Sequence, residues 1–241
     1  MFERTEQMFF RKILNGHSKT PIECLYLEIG AVPLRFHLMT RRIMYLQCVL
    51  QRDDEEITKR VVLCQKAKCR DGDFYTQTKA DMDYLAISEE NLSLGTTQLK
   101  DLLAKNVEQK AFEYLMEKAN SHSKVKSSCY TSCSGTTQYK DARFSPDLVE
   151  LLFKFRTRTY LVKNNFRNNY RNTDLLCPIC GEEEDSQEHM FSCRLMREKY
   201  EACHKFEDVY SNDADTLLGV AKDLKNIVET RRTLLDIDIQ E

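Results

Sequence analysis

The sequence predicts a mainly α-helical protein that carries a small CCHC zinc-knuckle segment near its C-terminus. Gly and Pro are scarce, with seven and four in 241 residues, and this composition favours helices. Apolar residues recur every three or four positions in several long segments, as they do on the buried face of a helix. Three cysteines and one histidine between residues 177 and 193 have the spacing of a zinc site.

The N-terminal part of the chain is predicted to be a helical region followed by a linker. In residues 1–70, a long helix should begin at Pro33, because proline is tolerated in a first turn, and a further helix should span Glu55–Cys69. Residues 71–95 are polar and contain turn-forming residues, so we expect a linker there. The inward side chains of the further helix should be Ile57, Val61, Val62 and Cys64.

The rest of the chain divides into three predicted segments. Residues 96–172 hold central helices, one over Thr97–Ala119 and one that begins at Pro146, where a serine and an aspartate flank the proline as an N-cap and a first-turn acid. Residues 173–200 form the knuckle, and residues 201–241 form an acidic C-terminal helix.

The knuckle has the pattern Cys-x2-Cys-x8-His-x3-Cys, formed by Cys177, Cys180, His189 and Cys193. A Cys-x-x-Cys turn followed by two ligands on one helical face supplies the four sulfur or nitrogen donors that structural zinc prefers. The alternative interpretation is two buried thiols and a chance histidine. Because all four positions are occupied by protein ligands, we expect a closed, structural Zn²⁺ site rather than a catalytic one with an open position for water.

The stretch before the knuckle combines cations with aromatic rings and has no acid between Leu151 and Thr173. Cations displace the counterions of a nucleic acid, rings stack on bases, and asparagine amides can read base edges, so this stretch predicts an RNA or DNA surface. The alternative is that the rings belong to the core and the arginines face water. The residues assigned to nucleic-acid contact are Lys154, Arg156, Arg158, Tyr160, Lys163, Arg167, Tyr170 and Arg171.

Three arginines of the long N-terminal helix, Arg35, Arg41 and Arg42, are further candidates for phosphate contact. Their alternative role is an ordinary solvated surface. The charge of the chain is uneven, because residues 174–241 hold 17 acids and only 8 bases beside the acid-free stretch. A cationic surface next to an anionic one is therefore expected, although the net charge is only −2.

The ten cysteines and the N-terminal residues indicate a reducing compartment, the nucleus or the cytoplasm. The first residues carry charges on both sides of a short apolar patch, unlike a secretory signal, so we expect thiols that ligate metal or lie buried. No run of eighteen apolar residues occurs, so no membrane span is expected.

The order of these motifs resembles the C-terminal region of non-LTR retrotransposon reverse transcriptase polyproteins. The second half carries LLFKFRTRTYLVKNNFRNNY, then the CCHC set with Gln187-Glu188-His189, and then Arg231-Arg232-Thr233-Leu234-Leu235. The first half resembles the segment that follows the polymerase core. Its matching elements are Thr20-Pro21, Leu27-Glu28, Gly30, Pro33, Arg35, Arg41-Arg42 and Tyr45-Leu46.

The resemblance implies a truncated or domesticated copy of such a polyprotein, with residues 1–70 as its thumb-like, post-polymerase region. The paired aspartates of the family's polymerase are absent, and Asp81-Met82-Asp83 lacks their motif. The residues after Cys193 are predicted to be helical rather than a strand-rich nuclease core. We therefore expect a protein that is not an enzyme.

Three functions follow as expectations. The first is a non-catalytic, zinc-containing protein that binds RNA or DNA through a basic-aromatic helix beside the knuckle. The second is a zinc-stabilised helical module that binds a protein partner or a second copy of itself through apolar helix faces. The third is a relic open reading frame without a selected function.

Overall fold

The computed structural model describes residues 2–122, 130, 141–170 and 174–238. The mainly α-helical prediction is confirmed: the described residues form α-helices, short 3-10 helices and one isolated antiparallel bridge between Leu176 and Glu184. The ten α-helices of these residues are α1 Phe2–Ile13, α2 Ile22–Ile29, α3 Leu34–Leu50, α4 Ile57–Lys68, α5 Phe74–Tyr84, α6 Thr96–Asn120, α7 Pro146–Arg156, α8 Gln187–Ser192, α9 Arg194–Arg197 and α10 Ala214–Asp238. The 3-10 helices are Glu89–Ser93, Lys163–Tyr170 and Phe206–Tyr210.

The chain folds into two compact units. The first is built on Val32–Tyr114, and the second on Arg4–Ala31 together with Leu115–Glu241. None of the described helices is long and apolar enough to cross a lipid bilayer.

The first unit corrects the prediction of a polar linker over residues 71–95. This segment contains α5 and a 3-10 helix, and α5 packs against both α3 and α4. Tyr75, Thr78 and Met82 face inward, and Asp81 forms a bidentate ion pair with Arg42 of α3 at 2.6 and 3.0 Å. The apolar signal was weak because the buried face of α5 includes a threonine and an aspartate, which pair with neighbours instead of facing water.

The helix predicted over Glu55–Cys69 is present as α4, but most of its inward residues were wrongly assigned. Only Val62 is buried, whereas Ile57 is 77% exposed and Val61 and Cys64 are also exposed. Spacing alone gave two possible faces for this short helix, since apolar residues lie on both. The face at Val62 is the one that meets the rest of the unit.

The second unit has a core that joins α7, α10 and the knuckle. Leu148, Leu152 and Phe155 of α7 belong to one buried cluster with Leu217 and Leu224 of α10. The cluster also includes two predicted metal ligands, Cys177 and Cys193. The knuckle therefore shares the core of the unit, instead of being a separate segment that only a metal would hold together.

A buried ion pair connects α2 with α7 in the second unit. Arg156 is 1% exposed, and its Nη1 lies 3.2 Å from Oε1 of the equally buried Glu28. The guanidinium also donates to the backbone oxygens of Val209 and Ser211 at 2.7 and 3.2 Å. Because a buried charge is costly unless it is paired and hydrogen-bonded, these contacts make Arg156 a structural residue.

Candidate metal centre

Cys177, Cys180, His189 and Cys193 come together as the sequence predicts. One donor atom from each residue lies within 4.8 Å of the others, and Cys180 Sγ is 3.2 Å from His189 Nε2. In a tetrahedral site with metal–sulfur bonds of about 2.3 Å, neighbouring donors are separated by about 3.5–3.8 Å. A metal would therefore need to draw these donors together by only about 1 Å.

The first two ligands are presented by a tight turn. Gly181 has a left-handed φ of +68° and its amide donates to the carbonyl of Cys177 at 2.9 Å, which closes the turn around Cys180. The chain then returns beside itself, because the Cys177 amide donates to the Glu183 carbonyl at 2.7 Å and the Asp185 amide donates to the Leu175 carbonyl at 2.8 Å. The segment around the two cysteines is thus a hairpin-like turn with a single bridge between Leu176 and Glu184.

The other two ligands are presented by α8. Ser186 caps this helix and accepts a hydrogen bond from the His189 amide at 3.0 Å. Cys193 follows the last turn, where its amide donates to the His189 carbonyl at 2.7 Å. The spacing of four residues therefore places both side chains on the side of α8 that faces the Cys177–Cys180 turn.

The thiols of the site differ in acidity. Burial raises the pKa of Cys180, but the hydrogen bonds that its sulfur accepts, chiefly from the amides of Glu182 and Glu183, outweigh burial and lower this pKa to about 7. Burial, together with the charges of Cys177 and Cys180, raises the pKa of Cys193 to about 11. Several thiolates this close together repel one another, and a bound cation would relieve this repulsion.

Three thiols and one imidazole are a donor set for a soft or borderline metal ion, and all four positions of a tetrahedron are filled by protein. The residues fit a structural metal ion, because four protein ligands leave no coordination position for a metal-bound water. Cys177, Cys193 and His189 are buried, and only Cys180 is partly accessible to solvent.

Asp185 fastens the knuckle to two other segments of the second unit. Its Oδ2 accepts from the Lys163 amide at 2.9 Å, and its carbonyl accepts from the Asn164 amide at 3.0 Å. Its Oδ1 lies 2.8 Å from Nη2 of Arg231 on α10, and both side chains are buried. Lys163 adds a further link, because its Nζ donates to the Leu176 carbonyl at 2.8 Å.

The predicted basic-aromatic helix is divided in the structure. α7 ends at Arg156, Arg158 has a left-handed φ of +56°, and a 3-10 helix follows only at Lys163–Tyr170. Three of the cations predicted to contact phosphate are committed within the fold. Arg156 is buried against Glu28, Lys154 pairs with Glu150, and Arg158 pairs with Glu188.

The assignment of Arg156 to the nucleic-acid surface is wrong, because its guanidinium is enclosed by the core. Arg158 is also largely enclosed, and its guanidinium lies 4.8 Å from the centre of the Phe206 ring. Tyr160 is partly buried, its ring centre lies 4.7 Å from that of Phe155, and burial raises the pKa of its hydroxyl. An aromatic ring packed in this way is a core residue more than a stacking platform.

The second half of the predicted stretch is more exposed. Lys163 is partly buried against the knuckle, whereas Arg167 is exposed and pairs with the exposed Glu184. Asn168, Asn169 and Tyr170 are also exposed. Arg171 lies outside the described residues.

The three arginines of α3 have different surroundings in the first unit. Arg35 lies over the Tyr114 ring, with its guanidinium carbon 3.5 Å from the ring centre. Arg42 is held by Asp81, and Arg41 is exposed. Arg41 is therefore the most exposed of these three arginines.

Sequence reasoning missed the acids that organise the site. Glu183 and Asp185 belong to an acidic run that resembles a solvated surface, yet one contacts His189 and the other is buried against Arg231. The partner of Asp185 is 46 positions away in the sequence, so no local pattern could reveal the pair.

Comparison of the chain with protein-family models, curated proteins and solved structures found no match.

Proposed function

We propose that this protein is a non-catalytic zinc protein whose Zn²⁺ is held by Cys177, Cys180, His189 and Cys193. The convergence of four competent donors, with two of the cysteines inside the core that joins α7 and α10, carries this proposal. Zinc is favoured because it prefers four sulfur and nitrogen ligands in a closed tetrahedron. The ion's role is to fix the knuckle against the core and to neutralise the clustered thiolates.

The test is metal content and stability of the full chain. Protein purified in zinc-supplemented medium should contain one zinc per chain, and Cys177→Ser/Cys180→Ser should contain none. Cys48→Ser/Cys64→Ser is the matched control, since these cysteines are exposed and lie in the other unit. Wild-type protein that binds no zinc, or that unfolds at the same temperature with and without a chelator, would contradict a structural zinc site.

We further propose that the knuckle organises a nucleic-acid-binding segment over Lys163–Tyr170. The support is the attachment of this segment to the knuckle, through Lys163 to Leu176 and Asp185, and the exposed groups that it then presents. These exposed groups are one cation, two amides and one aromatic ring, a combination suited to single-stranded or structured RNA or DNA. They are Arg167, Asn168, Asn169 and Tyr170.

The ion pair of Arg167 does not prevent this role. Arg167 and Glu184 are each about half exposed, and exposed ion pairs contribute only about 0–1 kcal/mol, so the guanidinium can exchange a carboxylate for a phosphate. The motif order that resembles the C-terminal region of non-LTR retrotransposon polyproteins favours the same assignment. We propose that region as the origin of the chain.

The test is fluorescence anisotropy of labelled RNA and DNA oligonucleotides across a salt series. Arg167→Ala/Tyr170→Ala should weaken binding about tenfold or more and reduce the salt dependence by about one unit. Lys222→Ala/Lys225→Ala is the control, because it removes two exposed cations from α10 of the same unit. Equal binding by both variants and the wild type, or no binding by the zinc-loaded wild type, would refute the nucleic-acid assignment.

A second candidate function is protein interaction through α1. Met8, Phe9 and Ile13 are each more than half exposed, although Phe10 and Leu14 of the same region are buried. Apolar side chains exposed together on one helix are a frequent mark of an interface. Sedimentation velocity should then show self-association that Met8→Gln/Phe9→Gln abolishes, whereas a monomer at all concentrations would count against self-association.

A further inference from the structure

Glu183 contacts three of the four candidate metal ligands. Its carbonyl accepts from the Cys177 amide at 2.7 Å, and its amide hydrogen-bonds the Cys180 sulfur. Its side-chain Oε2 lies 3.0 Å from His189 Nδ1. The acids on either side are directed elsewhere, because Glu182 reaches Arg194 and Glu184 reaches Arg167.

The contact between Glu183 and His189 fixes which ring nitrogen faces the other donors. An ionised carboxylate can only accept a hydrogen bond, so in this contact His189 Nδ1 carries the proton and donates a hydrogen bond to Glu183 Oε2. The opposite nitrogen, Nε2, then has a free lone pair, and this is the atom that lies 3.2 Å from Cys180 Sγ within the donor cluster. With this tautomer the ring is oriented for ligation before any metal is bound.

We propose that Glu183 is a positioning residue of the metal centre, which holds the His189 imidazole in its ligating tautomer and strengthens Nε2 as a donor. This inference rests on the proposed zinc site. Carboxylates that accept a hydrogen bond from a metal-bound histidine typically contribute 10- to 100-fold in metal affinity. The Glu183 side chain is 69% exposed, so water competes for it and the lower end of that range is expected.

The experiment measures zinc affinity of the full chain by competition with a chelating chromophore. Glu183→Ala should bind zinc about tenfold more weakly than wild type, and Glu183→Gln, which keeps a neutral acceptor, should lie between them. Glu182→Ala and Glu184→Ala are matched controls, because each removes one exposed acid from the same run and leaves the His189 contact intact. Both controls should bind within about twofold of wild type.

A second readout separates positioning from a general loss of stability. In ¹H–¹⁵N spectra of the zinc-loaded protein, the His189 Nδ1 proton should be visible and shifted downfield in wild type and in Glu182→Ala. In Glu183→Ala it should exchange with water and broaden. If the wild type binds zinc and Glu183→Ala binds it as tightly as Glu182→Ala, the role of Glu183 is overturned and the zinc site itself stands. A wild-type chain without stoichiometric zinc would overturn the metal centre together with it.

Discussion

The guanidinium of Arg231 on α10 lies 2.8 Å from the carboxylate of Asp185 in the knuckle, and both side chains are almost fully buried. The contact is an ion pair inside the second unit, 46 positions apart in the sequence. The pair joins α10 to the loop that carries the metal ligands. This pair therefore couples the C-terminal helix to the candidate metal centre.

Removal of one member of this pair should strongly destabilise the protein. Arg231→Met leaves the Asp185 carboxylate buried without its cation, which typically costs about 3–5 kcal/mol. Asp185→Asn/Arg231→Met should lose less than the sum of the two single substitutions, because neither charge is then left alone. Urea unfolding followed by circular dichroism gives these values. Arg197→Ala, which breaks an exposed pair with Glu201, should cost less than about 1 kcal/mol.

Zinc affinity should depend steeply on pH. The pKa of Cys180 is lowered to about 7, so its thiolate is lost as the pH falls through 7. The pKa of Cys193 is raised to about 11, so throughout the neutral range this thiol must lose its proton when a metal binds. Below pH 7 at least two protons compete with zinc, and the affinity should change by about 100-fold or more per pH unit. Chelator competition between pH 6 and 8 checks this. A flat profile would contradict thiolate ligation by both cysteines.

In the metal-free protein, the same two thiols change the free energy of unfolding in opposite directions as the pH rises. A folded-state pKa below the ordinary thiol value stabilises the fold at high pH, and Cys180 loses this contribution as the pH falls towards 7. A raised pKa stabilises the fold at low pH, and Cys193 loses its contribution as the pH rises from about 9 towards 11. Protein treated with a chelator should therefore be most stable near pH 9 with respect to these two groups, and urea unfolding between pH 7 and 11 measures this.

Gly219→Ala should destabilise the protein although alanine is the better helix former. A Cβ at this position of α10 would lie 2.3 Å from Cε1 of His204. The ring cannot easily move, because Asp223 accepts from both the amide and Nδ1 of His204 at 2.8 Å. Overpacking typically costs about 1–3 kcal/mol, which exceeds the gain of about 1 kcal/mol from replacing glycine in a helix.

The His204 background provides the control for this prediction. In His204→Ala the obstructing ring is gone, so the added Gly219→Ala substitution should become neutral or stabilising by up to about 1 kcal/mol. Thermal unfolding of the four proteins measures the change of sign. Destabilisation of the same size in both backgrounds would show that His204 is not the obstacle.

Arg156 should behave as a residue of the core and not as a nucleic-acid contact. Arg156→Lys keeps the charge but loses the fork that bonds Glu28, Val209 and Ser211, so the free energy of unfolding should fall by about 2–4 kcal/mol. Arg167→Lys, at an exposed position, should change it by less than about 0.5 kcal/mol. Urea unfolding compares the two variants. Equal stability of both would mean that the buried pair with Glu28 does not form.

The sequence predicts the elements whose signal is local. Apolar spacing predicts α3 and α6, and the capping residues predict the start of α7. The C-terminal helix is also predicted, but it begins at Ala214 and not at residue 201. The spacing of residue types predicts the four ligands of the candidate metal centre. Helix α5 was missed because polar side chains occupy part of its buried face. The burial of Arg156 was missed because its partner, Glu28, is 128 positions away. A run of basic residues shows that positive charges are present. Whether each of them faces solvent depends on the acids that the fold brings close to it.

The shared core of the second unit has a consequence for the order of events during synthesis. The four metal ligands emerge from the ribosome before Leu217 and Leu224, which complete the core around Cys177 and Cys193. Until then the thiols are open to solvent, to oxidants and to competing metal ions. Burial of the ligands is thus a late step, and the interval before it is when the nascent chain depends most on the reducing power and the metal supply of its surroundings.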